Sequence, residues 1–336
     1  MKAFIINKYT KGALQLADVP DPVVGNNDVL IEVYSAGVNL LDSKIKKGEF
    51  KLMLPYKLPM ILGHDVAGII TKVGKNVVKF KVGDEVYSRP ADYHVGTFAE
   101  YIAVNEKDVA FKPKNISMNE AASIPLVALT AWQALVERAD LKKGQKVFIQ
   151  AGSGGVGTVA IQLAKHLGAQ VATTASNKSF ELLKNLGADV LIDYKTHDFE
   201  HVLKGYDVVV NSQDQKTLEK SLNVLKPGGK LISISGPPTP EFAKELGLPW
   251  YIKMIIALIS FSTRSKAQKK QVKFSFLFMR ADGNQLQQIT NLVEAQVIKP
   301  VVDKVFAFEQ TNEALEYVES GRAKGKVLIQ VKSEKL

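Results

Sequence analysis

Lys146 to Gly168 reads KVFIQAGSGGVGTVAIQLAKHLG, and its glycines, Gly152-x-Gly154-x-x-Gly157, have the spacing of a phosphate cradle. A short apolar run, Val147 to Ile149, leads into them. Val159, Ile161, Leu163, Ala164 and Leu167 follow at helical spacing. Strand, tight turn and helix in one unit let the backbone approach a pyrophosphate. The free N–H groups and positive dipole end of the helix then face that anion. A glycine-rich loop without the flanking elements would carry no such meaning, so Gly152, Gly154 and Gly157 are candidate dinucleotide contacts.

The residues past the turn select among dinucleotides. Units that bind NAD place an acidic residue about 20 positions beyond the glycines, to hold the ribose diol. Here the second apolar run, Gln170 to Ser176, continues into Asn177, Lys178 and Ser179, and no carboxylate lies between Gly157 and Glu181. Hydroxyls and an ammonium suit a 2′-phosphate, and a charge-assisted hydrogen bond to phosphate is worth about 1.5–3 kcal/mol. NADPH is the expected cofactor. The competing reading of Lys178 is a solvated lysine opening a helix.

The remaining composition narrows the class. A chain of 336 residues has room for two cores, and 46% hydrophobic content is that of a globular protein. It has no cysteine, which removes disulfides and thiolate metal ligands and fits a reducing compartment. The first residues, MKAFIINKY, already read as a strand rather than an apolar signal segment, so a cytoplasmic location is expected. The net charge of +10 is spread along the chain, and its one dense run, Arg264 to Lys273, lacks interleaved aromatics. That run reads as a solvated face, without a nucleic-acid partner. Trp250 to Phe261 (WYIKMIIALISF) is apolar but interrupted by Lys253, and shorter than the ~20 residues a bilayer span needs. It reads as a buried or half-buried helix, on the substrate side or at a subunit contact, without stable membrane insertion. The adjoining basic run leaves peripheral membrane contact open.

The elements that would carry these residues follow from periodicity. AFIINKY, LQLADV, DVLIEVYSAGV, DVAGIITKVG, DEVYS and FAEYIAV succeed one another between Gly, Pro, Asn and Asp, an all-β pattern. From Asn119 the period changes: NEAASIPLVALTAWQALVER is helical. Candidate strands Val147–Gln150, Val171–Thr174, Val190–Asp193, Asp207–Asn211 and Lys230–Ser235 then alternate with helices, as in a parallel sheet covered on both faces. From about Lys299 the tail returns to short strands around one helix, as though completing the first domain.

These motifs resemble the medium-chain dehydrogenase/reductase superfamily, in its zinc-free quinone oxidoreductase branch and its alkenal/enone oxidoreductase-like members. The resemblance rests on Gly37-Val38-Asn39-x-x-Asp42-x-Lys44, Gly63-His64-Asp65-x-x-Gly68, Lys81-Val-Gly-Asp-Glu-Val86, Ala121-Ala-Ser-Ile-Pro125, the glycine turn, Ile192-Asp193-Tyr194, Pro227-Gly228-Gly229 and Ser320-Gly321-Arg322-Ala323-x-Gly325-Lys326. It implies an α/β chain: a Rossmann doubly wound parallel sheet at 122–297, and a GroES-like, mostly-β catalytic domain built from 1–121 and 298–336. A homodimer through an edge strand near Lys273–Phe278 is implied as well.

In the superfamily's alcohol dehydrogenases a Cys and the His of Gly-His-Glu hold catalytic zinc. Here Asn39 takes the Cys position, His64 stands alone, Asp65 replaces Glu, and Ser88 to Phe98 is too short for a second zinc lobe. No metal is expected, since a catalytic zinc needs about three protein ligands. The resemblance therefore implies hydride delivery to an acceptor that is already electron-poor, a quinone or an α,β-unsaturated carbonyl. The protein would position the pair and stabilise the developing enolate oxygen. Lys44, Asn39 and Asp42 are the implied catalytic group, with Tyr56 (or Tyr93) the available proton donor and water the default. Lys44 also lies where cofactor and substrate meet. Thr130 would touch the nicotinamide end, Gly155 and Val156 the pyrophosphate, and Ser176, Asn177, Lys178, Ser179 and Tyr194 the phosphorylated ribose. Ile234 and Phe276-Leu277-Phe278 would line the nicotinamide side, with Arg322 and Ala323 approaching from the tail. An enoyl-thioester reductase and a non-catalytic NADPH-binding redox sensor are the alternatives.

Overall fold

In the computed structural model, which describes residues 1–333, the chain packs as two compact units. One is Met1–Leu129 together with the tail from Arg280; the other is Thr130–Met279. The compact units thus divide after Leu129 and Met279. The helix Gly283–Glu294 belongs to the first unit. It packs on the strand Val109–Phe111 of the first unit, where Thr290 donates to the Phe111 carbonyl at 2.9 Å and the buried Tyr87 hydroxyl donates to that of Leu286 at 2.8 Å.

The long strand Asp28–Val38 organises the first unit. One side pairs antiparallel with Asp65–Val73. The other is shared by Tyr101–Asn105 at its start and by Lys326–Gln330 at its end. The tail does return to this sheet, with Val302–Ala307 adding a further parallel strand outside Lys326–Gln330. Register then sets chemistry. Gly37 faces Asp65, and Val38 faces Val327, so the end of the strand, Asp65 and Lys326 converge around Asn39. Below them lies a core that includes Ile31, Val33, Leu62, Ile70 and Phe98.

The second unit is a six-stranded parallel sheet. Its spatial order is Val190–Asp193, Gln170–Ala175, Lys146–Ile149, Tyr206–Asn211, Leu225–Ser233 and Lys273–Phe276. That is the 3-2-1-4-5-6 order of a Rossmann sheet, whose ligands bind beyond the strands' carboxyl ends. The expected strands and their intervening helices are present, with ends moved by a few residues. One expected helix is not continuous: 119–138 divides into Met118–Ala122, Pro125–Trp132 and a π-helical turn Gln133–Arg138. Pro125 opens the middle segment, where its missing N–H costs nothing.

Trp250–Lys269 is a single helix, yet its apolar segment is less buried than its composition suggests. Only Ile252, Ile256 and Ser260, four residues apart, are buried between Trp250 and Phe261. A helix laid on a flat support buries one stripe, and the other large apolar side chains of this segment are exposed.

Candidate functional site

In the second unit the strand Lys146–Ile149 ends in the glycine turn, and the helix Gly155–His166 starts from Gly154 with no side-chain cap. The first N–H groups of that helix, those of Gly155, Val156 and Gly157, therefore have no intrahelical acceptor. The neighbouring strand clamps the turn: Ala151 N–H donates to Thr174 Oγ1 at 3.2 Å, and Gly152 N–H to the Thr174 carbonyl at 3.0 Å. Close approach explains the small residues. A Cβ on Gly157 would lie 2.5 Å from the Ala151 oxygen, and one on Gly152 would lie 2.2 Å from Thr173 Oγ1.

The second strand, Gln170–Ala175, runs into a 3-10 turn, Asn177–Ser179. Asn177 and Lys178 are exposed, and Ser176 is half-buried. Tyr194 emerges alongside, 61% exposed, its N–H reaching the Ala175 carbonyl at 3.4 Å. Ser179 departs from the expected cradle. It is 2% exposed, and its hydroxyl is enclosed with no partner among the described residues, so it faces the protein. A scan of the second strand alone also misses Asp193, which pairs in register with Ala175. One of its oxygens accepts the Lys195 N–H at 3.0 Å. Of the expected nicotinamide-side residues, Ile234 is half-buried and Thr130 buried. Phe276 packs edge-on against Phe242 with ring centroids 4.9 Å apart, and Leu277 is buried too. Only Phe278 in that run keeps a partly open side chain.

In the first unit, Asn39, Asp42, His64, Asp65 and Lys326 form one buried polar cluster. Asn39 stands at the head of the short helix Leu40–Lys46. Its N–H donates to Asp42 Oδ2 at 2.7 Å, while Asp42 Oδ1 lies 2.5 Å from His64 Nδ1. Both Asp42 oxygens are thus engaged. Asp42 positions Asn39 and His64. Asn39 is equally committed: Nδ2 donates to Asp65 Oδ2 at 2.9 Å and to the Gly37 carbonyl at 3.3 Å, so neither amide hydrogen is left for a substrate oxygen.

Lys326 closes the network, and single-residue reasoning passed over it. Its ammonium donates to Asn39 Oδ1 at 2.5 Å, Asp65 Oδ2 at 2.9 Å and the Val38 carbonyl at 3.2 Å. The other Asp65 oxygen accepts the Leu126 N–H at 2.6 Å, at the start of the helix Pro125–Trp132. The Gly325-Lys326 pair opening the last strand was the available signal. His64 Nε2 is buried and has no partner among the described residues.

In the same unit Lys44 is half-buried, Arg322 is exposed, and Ala323 packs on the core. Tyr56 packs on Tyr93 with ring centroids 5.3 Å apart, and Tyr93 holds a left-handed backbone, φ 67°. The Tyr56 hydroxyl is enclosed and has no partner among the described residues. Burial, with the Asp92 carboxylate adding, pushes its pKa well above the ordinary phenol value. It therefore keeps its proton and can act only as a neutral donor. Elsewhere, Asp198, Glu200 and His201 gather their ligand atoms within 4.8 Å, but the Lys220 ammonium already pairs with both carboxylates.

Comparison with known proteins agrees with this architecture. Residues 25–114 match the alcohol dehydrogenase GroES-like domain, and residues 186–329 the zinc-binding dehydrogenase family. A 2-methylene-furan-3-one reductase from Solanum lycopersicum is 37% identical, over 98% of this chain and 79% of its own length. The chain belongs to the medium-chain dehydrogenase/reductase superfamily, in its quinone and alkenal oxidoreductase-like branch. An NADPH-dependent alkenal/one oxidoreductase, chloroplastic, from Arabidopsis thaliana is 34% identical over the same shares of the two chains. Among solved structures, the quinone oxidoreductase from Coxiella burnetii superposes with a TM-score of 0.85 at 29% identity, covering 99% of each chain. The protein is an oxidoreductase of this superfamily, and no described helix is long and apolar enough to cross a membrane.

Proposed function

We propose that the protein is an NADPH-dependent, zinc-independent reductase of the cytoplasm, delivering hydride to quinones or to the C=C bond of α,β-unsaturated carbonyls. The observation that carries this reading is the commitment of the Asn39–Asp65–Lys326 cluster. Both Asp65 oxygens and both Asn39 amide hydrogens are occupied, an ammonium already neutralises the site, and the chain has no cysteine. Only His64 Nε2 remains as a ligand, and a catalytic zinc needs about three. The donors do not fit zinc, so a substrate must supply its own electron-poor carbon.

The second unit fits NADPH. The uncapped N–H groups of Gly155, Val156 and Gly157 would receive the pyrophosphate. Lys178, with Ser176, Asn177 and Tyr194, would hold the 2′-phosphate. When bound, NADPH supplies the hydride equivalent. Lys44 and the protonated Tyr56 then serve as donors to the substrate carbonyl oxygen as negative charge grows there. A homodimer joined along the edge strand Lys273–Phe276 is part of the same reading, and light scattering tests it.

NADPH oxidation assayed with a quinone, a short alkenal and a crotonyl thioester, before and after exhaustive chelation, tests the function. Turnover of the quinone or alkenal that survives chelator is expected. Loss under chelator overturns the zinc-independent mechanism, thioester turnover alone indicates the enoyl-thioester reductase, and NADPH binding without turnover indicates a sensor.

A further inference from the structure

We propose that the first half of the helix Trp250–Lys269 is a docking face for an anionic phospholipid surface. Trp250, Tyr251, Met254, Leu258, Ile259 and Phe261 point outward with exposures of 52–73%. Together they turn the apolar side chains of one helix face to water, a patch of the kind that marks an interaction site when it reaches about 300–600 Å². The opposite stripe, Ile252, Ile256, Ser260, Thr263 and Ala267, is buried. The helix is therefore held by the protein on one side and presents its apolar side chains on the other.

Charge names the occupant. From Leu246 to Met279 the chain contains no Asp or Glu, and its charged residues are Lys253, Arg264, Lys266, Lys269, Lys270 and Lys273. Lys266 is paired with Glu219 at 2.8 Å, and Arg264 folds back onto the Ala257 carbonyl of its own helix. Lys269, Lys270 and Lys273 are exposed at the basic end. A second copy laid on this segment would bring its own cations and no carboxylate from the segment to meet them. An anionic headgroup layer meets the lysines while the apolar side chains enter the acyl boundary, the division of labour of an interfacial helix. Tryptophan and tyrosine at the start of the segment suit that depth. The helix lies on the surface, since none described is long and apolar enough to cross.

Sedimentation with vesicles of phosphatidylcholine alone, or with about 30% phosphatidylglycerol, tests this on the full-length protein. Binding to the anionic vesicles about tenfold or more above the neutral ones is expected, weakened by salt near 0.5 M and accompanied by a blue shift of Trp250 emission. Leu258→Glu and the pair Lys269→Glu/Lys270→Glu should each abolish binding, while circular dichroism and NADPH oxidation in solution stay unchanged. Trp250→Phe should remove the emission shift. Absence of vesicle binding, or equal binding to both vesicles, overturns the proposal. So does a dimer that Leu258→Glu dissociates, which would make this face a contact between copies.

Discussion

Replacing Lys326 with methionine keeps the side-chain stem and removes only the ammonium. In the folded protein that ammonium makes three hydrogen bonds, two of them to Asn39 and Asp65, and Asp65 is wholly buried. The variant leaves an ionised carboxylate with two neutral donors, Asn39 Nδ2 and the Leu126 N–H, and no countercharge. Breaking a buried pair from one side costs about 3–5 kcal/mol, a loss of two to three decades or more in the folding constant. Urea unfolding of Lys326→Met should show that loss. In Lys326→Met/Asp65→Asn the charge is gone from both sides, and the double variant should be more stable than the sum of the single losses by about 0.5–3 kcal/mol. A single loss below about 1 kcal/mol, or strict additivity, would refute the view that Lys326 neutralises this site.

Three further outcomes are expected. Lys178→Ala should raise the NADPH KM on the order of 10–100-fold, the worth of one charge-assisted phosphate contact, and leave NADH kinetics nearly unchanged; an equal effect on both coenzymes contradicts the 2′-phosphate assignment. Gly157→Ala would set a Cβ 2.5 Å from the Ala151 oxygen, so calorimetry should show NADPH affinity falling about tenfold or more as the turn shifts; unchanged affinity would mean this turn is not the cradle. Because burial holds the Tyr56 phenol above its ordinary range, its proton is retained as pH rises, and kcat should show no loss from this group up to about pH 10. Tyr56→Phe should lower kcat about tenfold or more at all pH values in that range; an unchanged kcat in this variant would remove Tyr56 as the donor, and an alkaline loss below about pH 10 that disappears in it would refute the raised pKa.

Local pattern reached far in this chain because several of its signals are local. The strand, glycine turn and helix around Gly152–Gly157 lie within one short stretch, and each residue's neighbours in sequence are its neighbours in space. The alternation of short apolar runs with helices specifies a parallel sheet, since parallel strands need crossovers. Buried faces were less legible. Composition marks Trp250–Phe261 as apolar, but which stripe is covered depends on the support beneath it. Ser179 reads like the polar residues beside it until the 3-10 turn points it inward.

By itself, the sequence determined the cofactor unit, the absence of cysteine ligands and the polar residue types at Asn39, Asp42, His64, Asp65 and Lys326. Tertiary structure alone decided what those five do. Lys326 lies 287 residues from Asn39, and the two meet because the last strand pairs with the end of Asp28–Val38 in the register that sets Val327 opposite Val38. Strand register is fixed by the buried core across the whole sheet rather than by the flanking residues. The same register joins Asn39, through Lys326, to the buried carboxylate of Asp65.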